Sequence, residues 1–486
     1  MAEPDPRRWQ ALALVCVAFF MTVLDVSIVT VALPSIAQSL HLSPASLQWV
    51  LTAYAITFGG FLLLGGRAGD LLGRRRMFMA GLALFTLMSL VCGLASSTAM
   101  LVTARSFQGL GAAIISPATL SIITTTFDEG PERNKALGIW GAMGGAGAAA
   151  GVLFGGILTK YLGWEWIFFV NVPVGALVLM ATPFRVRESR APLETRRFDA
   201  VGACVVTAGL ALLVYAISEA PTVGWASART IALLVVSLTL LVAFVVWEAR
   251  VDTPLMPLGI FKIRSLAGAN AVAILLGGVV FANFFLLTLY VQDVLHYSAL
   301  RTGLTFLATA GTTVVVAGAA QALTTKLGAR PVMIAGLVLL TGAMVFYTQI
   351  PVRGQYPSNL LPGYLLVGFG LALSFVAVSI AALAGVGPRD AGLASGLLNT
   401  SQQIGGALGV AIAGSVAVTH AQSLLHSGHA PPAAYTSGYA IGFWVLAGFA
   451  AAGVVVAILT IPPGVAAEPA GDDAASLAVL PEGAAS

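Results

Sequence analysis

"FFMTVLDVSIVTVALPSI", residues 19–36, is a mostly apolar run that carries one carboxylate, Asp25. A helix needs about 20 apolar residues to cross a hydrocarbon core roughly 30 Å thick, and the run around Asp25, residues 10–32, supplies them. It is too long for a signal-peptide core and lacks a small-residue cleavage site, so it reads as a first membrane span. Comparable runs recur at 47–64, 77–95, 100–125, 136–159, 166–183, 199–217, 230–247, 268–291, 302–324, 331–350, 360–384, 393–419 and 439–460, fourteen in all. Only 9% of the residues are charged, against about 25% in soluble domains. The sequence therefore predicts an all-α integral membrane protein with almost no soluble part.

Charge placement orients the spans. Nineteen Lys and Arg fall in loops on the side of the N-terminus, whereas Lys160, Arg229, Arg301 and Arg353 fall on the other side. Positive charge accumulates on the cytoplasmic side, so both termini are expected in the cytoplasm of a bacterial inner (plasma) membrane protein. The basic balance then serves topology and anionic headgroups, and nucleic acid is not an expected partner. Cys16, Cys92 and Cys204 lie in apolar stretches and read as packing residues. No metal site is expected, because the five histidines lie in or near outer loops without a ligand-spaced pair.

The chain also resembles itself. "LGRRRMFMAGLAL" from Leu72 echoes "LGARPVMIAGLVL" from Leu327, an offset of 255, and Gly138, Gly147, Gly151 and Gly156 echo Gly396, Gly405, Gly409 and Gly414 at an offset of 258. The two offsets describe one duplication around a central pair of spans that has no counterpart, an organisation of 6+2+6. The divisions are 1–198 for the first bundle, 199–247 for the inserted pair, 248–462 for the second bundle, and a tail over 463–486 whose Ala, Pro, Gly and acidic content predicts disorder.

A carboxylate near the centre of a membrane helix costs about 2.5–3.5 kcal/mol on insertion scales, so Asp25 needs a reason to be there. Desolvation disfavours the charged form, which suits a group that loads and unloads protons; the alternative is a fixed hydrogen-bonded clamp between helices. Arg105 in "LVTARSFQGLGAAIISPATL" is the one basic residue deep in a span. Its expected partner is Asp25 or Gln108, held either in one conformation only or permanently. In "GGRAGDLLGRRRMF", residues 65–78, the spacing of Gly69, Asp70, Gly73, Arg74 and Arg75 suggests a conformational latch in a tight inner loop, whereas a simple lipid anchor would need only the arginines. Gly147, Gly151 and Gly155, with Gly156 beside them, form a smooth face that allows close helix packing. Tyr54, Gln108, Asn283, Asn399, Gln402 and Gln403 are the polar residues able to line a cavity, or to satisfy backbone groups instead.

Together these stretches resemble the major facilitator superfamily, and within it the fourteen-span drug:proton antiporters of the QacA/EmrB kind. "LDVSIVTVALP" at 24–34, "GRAGDLLGRRR" at 66–76, "RSFQGLGAA" at 105–113, "QWVLTAYAI" at 48–56, "WIFFVNVPVG" at 166–175 and "GLASGLLNTSQQIGGALGVA" at 392–411 carry the resemblance over roughly residues 10–460. One departure stands out: the antiporter motif of the fifth span usually has proline where Val152 follows Gly151, which leaves that helix without an imposed kink. Glu165 replaces a residue that is more often basic in that family. The resemblance implies a major facilitator fold and a monomer that exports small amphipathic organic compounds, with protons as coupling ion, no other cofactor and no enzymatic step. The competing readings are a proton-coupled lipid or metabolite transporter on the same fold and a membrane sensor that transports nothing. An ATP-driven pump is excluded by the lack of a P-loop.

Overall fold

The structure is a computed structural model describing residues 7–127, 131–189, 199–252, 254–256, 258–386 and 391–463. The tail expected to be disordered lies, from residue 464, outside the described residues. Among the described residues there is no strand, and fourteen helices are long and apolar enough to cross a membrane. They are α1 Arg8–Leu40, α2 Pro44–Leu72, α3 Arg74–Gly93, α4 Thr98–Thr126, α5 Pro131–Tyr161, α6 Trp166–Arg185, α7 Ala200–Val223, α8 Ala228–Glu248, α9 Arg264–Val294, α10 Ala299–Leu327, α11 Ala329–Tyr347, α12 Tyr356–Leu383, α13 Ala391–His426 and α14 Pro431–Thr460. Most run past the spans read from hydropathy, since a helix persists into the polar margin where hydropathy has already fallen. α6 is broken by a turn at Val170, and α5 is continuous through Gly151 and Val152, as a helix without the motif proline should be.

Local chemistry sets the ends. Ser43, Ser97, Ser227 and Ser298 each accept a hydrogen bond from the backbone N–H three residues on and so cap α2, α4, α8 and α10. The two echoed loops share one device: Gly73 (φ +113°) and Gly328 (φ +87°) make the turn from α2 into α3 and from α10 into α11. A residue with a β-carbon is strained there.

α1–α6 form one half and α9–α14 the other. The halves meet along two seams that the duplication makes equivalent, α2 against α13 and α5 against α10. α7 lies over the first of these seams, with α8 packed on α7. Leu210 and Val214 of α7 join Ala55 and Ile56 of α2 and Ala407 and Ala411 of α13 in one apolar cluster. This arrangement is a major facilitator fold with two helices inserted at its centre.

Small residues make the close approaches. A β-carbon built on Gly147, Gly151 or Gly155 would lie 2.9, 2.7 and 2.8 Å from the carbonyl oxygens of Phe20, Leu24 and Ile28, so these three glycines seat α5 directly on the backbone of α1. Gly156, one residue beyond, faces the other half, 2.7 Å from Leu300 Cα by the same construction. The halves are also joined towards the end where α1 finishes: Gln292 of α9 donates to the Val31 carbonyl at 2.8 Å.

Candidate functional site

The Asp25 side chain is fully buried, and its two oxygens are held by groups from two other helices. Arg105 Nη1 of α4 donates to Oδ2. Gln108 Nε2, one turn further along α4, donates to Oδ1 at 2.8 Å, and Asn171 Nδ2 of α6 donates to the same oxygen at 3.1 Å. Ser89 of α3 accepts from both amides, at 3.1 Å from Gln108 and 3.0 Å from Asn171, and its own hydroxyl donates to the Phe168 carbonyl at 3.1 Å.

Arg105 is satisfied in turn. Its Nη1 also donates to Gln108 Oε1 at 2.7 Å, its Nε donates to the Val50 carbonyl of α2 at 3.0 Å, and its guanidinium lies 4.4 Å from the centre of the Tyr54 ring. A planar fork that meets a carboxylate, an amide and a ring face is work for arginine, and lysine could not reproduce it. The positions follow from helix spacing: residues 105 and 108 share a face of α4, and Pro117 lies well beyond them. Every partner of Asp25 named here belongs to the first half.

The other residues read from the sequence are scattered. Tyr54 belongs to the cluster through its ring, while its hydroxyl has no hydrogen-bond partner among the described residues. Gln108 sits inside the cluster, bonded on both sides, and so is no free cavity wall. Asn399 Nδ2 donates to the Ser395 carbonyl one turn back, and Gln402 is buried with its backbone against Gly277. Gln403 packs its Cβ on Gly59 and leaves Oε1 without a partner among the described residues. Asn283 of α9 is 1% exposed, and neither of its amide atoms has a partner there either. At an offset of 258 it stands where Asp25 stands in the first half.

The loop motif is tied down by a residue that the sequence reading passed over. Glu188 accepts from the backbone N–H of Arg75 at 3.1 Å and of Arg76 at 3.2 Å, and the Arg74 N–H donates to the Ser189 carbonyl at 3.0 Å. A carboxylate on the free N–H groups at the start of α3 is stabilising there. Gly73 leaves the space this needs, since a β-carbon on it would lie 2.7 Å from Glu188 Oε1. Gly69 has open space around it, Arg75 reaches the Val186 carbonyl at 3.3 Å, and the Asp70 side chain lies outside the described side chains. Glu188→Ala is expected to cost about 1 kcal/mol, read as a lower apparent melting temperature in detergent; an unchanged value would mean that the loop holds itself.

Ser89, Asn171 and Glu188 are the members the sequence reading missed. Asn171 stands in "WIFFVNVPVG", where an amide within apolar residues is a signal of its own. Among the described residues no group of three or more His, Cys, Asp or Glu could hold a metal ion.

Comparison with known proteins agrees with this architecture. Residues 15–410 match the Major Facilitator Superfamily profile. The chain is 39% identical over 450 residues to puromycin resistance protein pur8 of Streptomyces alboniger, covering 92% of this chain and 89% of that one. It is 41% identical over 407 residues to cephamycin export protein CmcT of Amycolatopsis lactamdurans, covering 83% of each. The crystal structure of the POT family transporter PepTSo superposes with a TM-score of 0.69 over 93% of this chain and 97% of that one, at 16% identity, which is a likeness of fold. Fourteen spanning helices, two seamed halves and a match over most of its length place the chain in the major facilitator superfamily, as a multi-pass membrane transporter.

Proposed function

We propose that this transporter exports small amphipathic organic compounds of the antibiotic kind in exchange for protons, by opening a cavity between its halves to each side of the membrane in turn. The relatives named for puromycin resistance and cephamycin export support the direction and the cargo class. The observation that carries proton coupling is the buried carboxylate of Asp25, held by Arg105, Gln108 and Asn171 away from any lipid-facing surface.

In this scheme Asp25 and Arg105 are the coupling pair. A proton arriving on Asp25 removes the negative charge that Arg105 faces, and the guanidinium must then find another acceptor or move. Either response repacks α1 against α4 and α6. The loop tied by Gly73 and Glu188 acts as the latch that biases which state is populated. Tyr54, Asn283 and Gln403 each hold a buried polar atom without a partner among the described residues, and these atoms are the cavity groups offered to a substrate. The bias of Lys and Arg supports a cytoplasmic position for both termini.

α10 carries no acid between Arg301 and Lys326. Monovalent cations and neutral aromatic compounds are therefore favoured over dications, which would lack a second counter-charge. The test is drug-dependent proton release from sealed vesicles containing the purified protein. Release on adding a monocation or neutral aromatic compound, with little on adding a dication, is expected; dication efflux as strong as monocation efflux would overturn this selectivity, and drug movement with no proton movement would overturn the coupling.

A further inference from the structure

The two seams between the halves are equivalent by duplication, yet they differ in this structure. Along α2 and α13 the contact reaches as far as Leu63 and Gly396, and past them Gly69 and Gly392 meet nothing within 4 Å among the described residues. A β-carbon on Gly414 would lie 2.7 Å from Gln48 Nε2, one on Gly59 3.0 Å from Gln403 Cβ, and one on Gly396 2.7 Å from Leu63 Cδ2, whereas Gly138, which the offset of 258 pairs with Gly396, meets nothing within 4 Å among the described residues. α7 is fastened to both members. Its Ser218 donates to Gln48 Oε1 of α2 at 3.0 Å, its Ile217 carbonyl accepts from Ser415 of α13 at 2.9 Å, and its Thr207 seats on Gly60 of α2.

Along α5 and α10 the contact exists only at the closed end. There a β-carbon on Gly156 would strike Ala299 and Leu300, and one on Gly303 would lie 2.5 Å from the Val152 carbonyl. Three to five turns further along the same face of α5, Gly138 and Gly141 have nothing within 4 Å among the described residues. Gly311 and Gly318, which continue the Leu300 face of α10, likewise meet nothing among the described residues. The walls of this wedge carry no charge: α5 has none between Lys135 and Lys160, and α10 none between Arg301 and Lys326.

We propose that the inserted helices strap α2 to α13, so that the open end of the carrier parts on the α5–α10 side alone, and that the apolar body of the cargo enters sideways from the adjoining lipid leaflet through that parting. A seam bridged by a helix that holds one hydrogen bond to each member and shares an apolar cluster with both resists opening more than a bare one, since each buried bond lost leaves an unsatisfied group. An uncharged passage admits an aromatic or aliphatic body without asking it to shed a counter-charge. This rests on the carrier reading of the preceding subsection.

The test uses the full chain in liposomes with Cys204, the exposed native thiol, changed to Ser. Nitroxide pairs at Gly141→Cys with Gly318→Cys, and at Arg67→Cys with Gly392→Cys, report the two seams at the parted end. Gly156→Trp, which wedges the closed end, drives the carrier toward its other state. The α5–α10 pair is expected to shorten while the α2–α13 pair keeps its distance distribution, and a single label at Gly318 should relax faster with oxygen, which partitions into lipid, than with a water-soluble nickel chelate. Equal shifts at both seams would overturn the strap, and a Gly318 label reached only by the chelate would overturn the lateral route. Should Gly156→Trp not assemble, the same pairs are read at acidic and at alkaline pH, where an α5–α10 pair that never moves overturns the proposal. These readouts are distances and collision rates, so failure here is distinct from failure of proton coupling.

Discussion

Asp25→Asn is expected to uncouple the transporter and to loosen the first half at the same time. The carboxylate receives donors on both oxygens, Arg105 on one and Gln108 with Asn171 on the other. An asparagine has a single acceptor oxygen, so one set of donors must face its NH2 group. Removing one member of a buried ion pair costs about 3–5 kcal/mol, because the remaining charge keeps its desolvation penalty without its partner. The amide retains part of the network, which places the loss near the lower end. Drug-dependent proton release should disappear, and the apparent melting temperature should fall. The double variant Asp25→Asn with Arg105→Gln separates the two effects: neutralising both partners should restore much of the stability and none of the coupling. Proton release that survives in Asp25→Asn would strip the residue of its proposed role.

Gly151→Leu is the second change with a large expected effect. A β-carbon there would lie 2.7 Å from the Leu24 carbonyl oxygen and from Ser27 Cβ, and 3.1 Å from the Ile28 nitrogen. Two of those contacts are backbone, which cannot rotate away as a side chain can. α5 would be pushed off α1 close to Asp25, at or above the upper end of the about 1–3 kcal/mol usual for overpacking. Yield of monodisperse protein and export should both collapse. Gly138→Leu is the matched control, because nothing among the described residues lies within 4 Å of that position, and it should fold within about 0.5 kcal/mol of wild type. Equal damage from the two would mean that helix propensity, and not the α1–α5 contact, is what these glycines serve.

Much of this architecture was legible in the sequence, for reasons that differ by residue. Apolar runs of spanning length and the bias of Lys and Arg follow directly from the bilayer as solvent, so the fourteen helices were countable. Gly147, Gly151 and Gly155 repeat every fourth residue and fell, as the spacing requires, on one contact with α1; Gly156, a single residue on, turns about 100° further round the helix and meets the other half. The Asp25–Arg105 pair was foreseeable because two lone charges in apolar spans must find each other. Ser89 and Glu188 were not. A serine among apolar residues has no period to betray it, and Glu188 lies just past the end of α6, where charges are expected anyway. The unequal seams were beyond reach as well, because hydropathy shows that two spans were inserted and is silent on which groove they fill.

One feature of the Asp25 cluster bears on how fast such a carrier can run. Its partners on α3, α4 and α6 all ride in the same six-helix half as α1. Swinging one half as a rigid block leaves every distance inside that block as it was, so the swing alone neither breaks the Arg105 contact nor wets the carboxylate. In the proposed exchange scheme, hydrogen-ion loading at this position is therefore governed by breathing within a close-packed bundle, which puts the turnover clock in the interior of one lobe, not at the hinge between two.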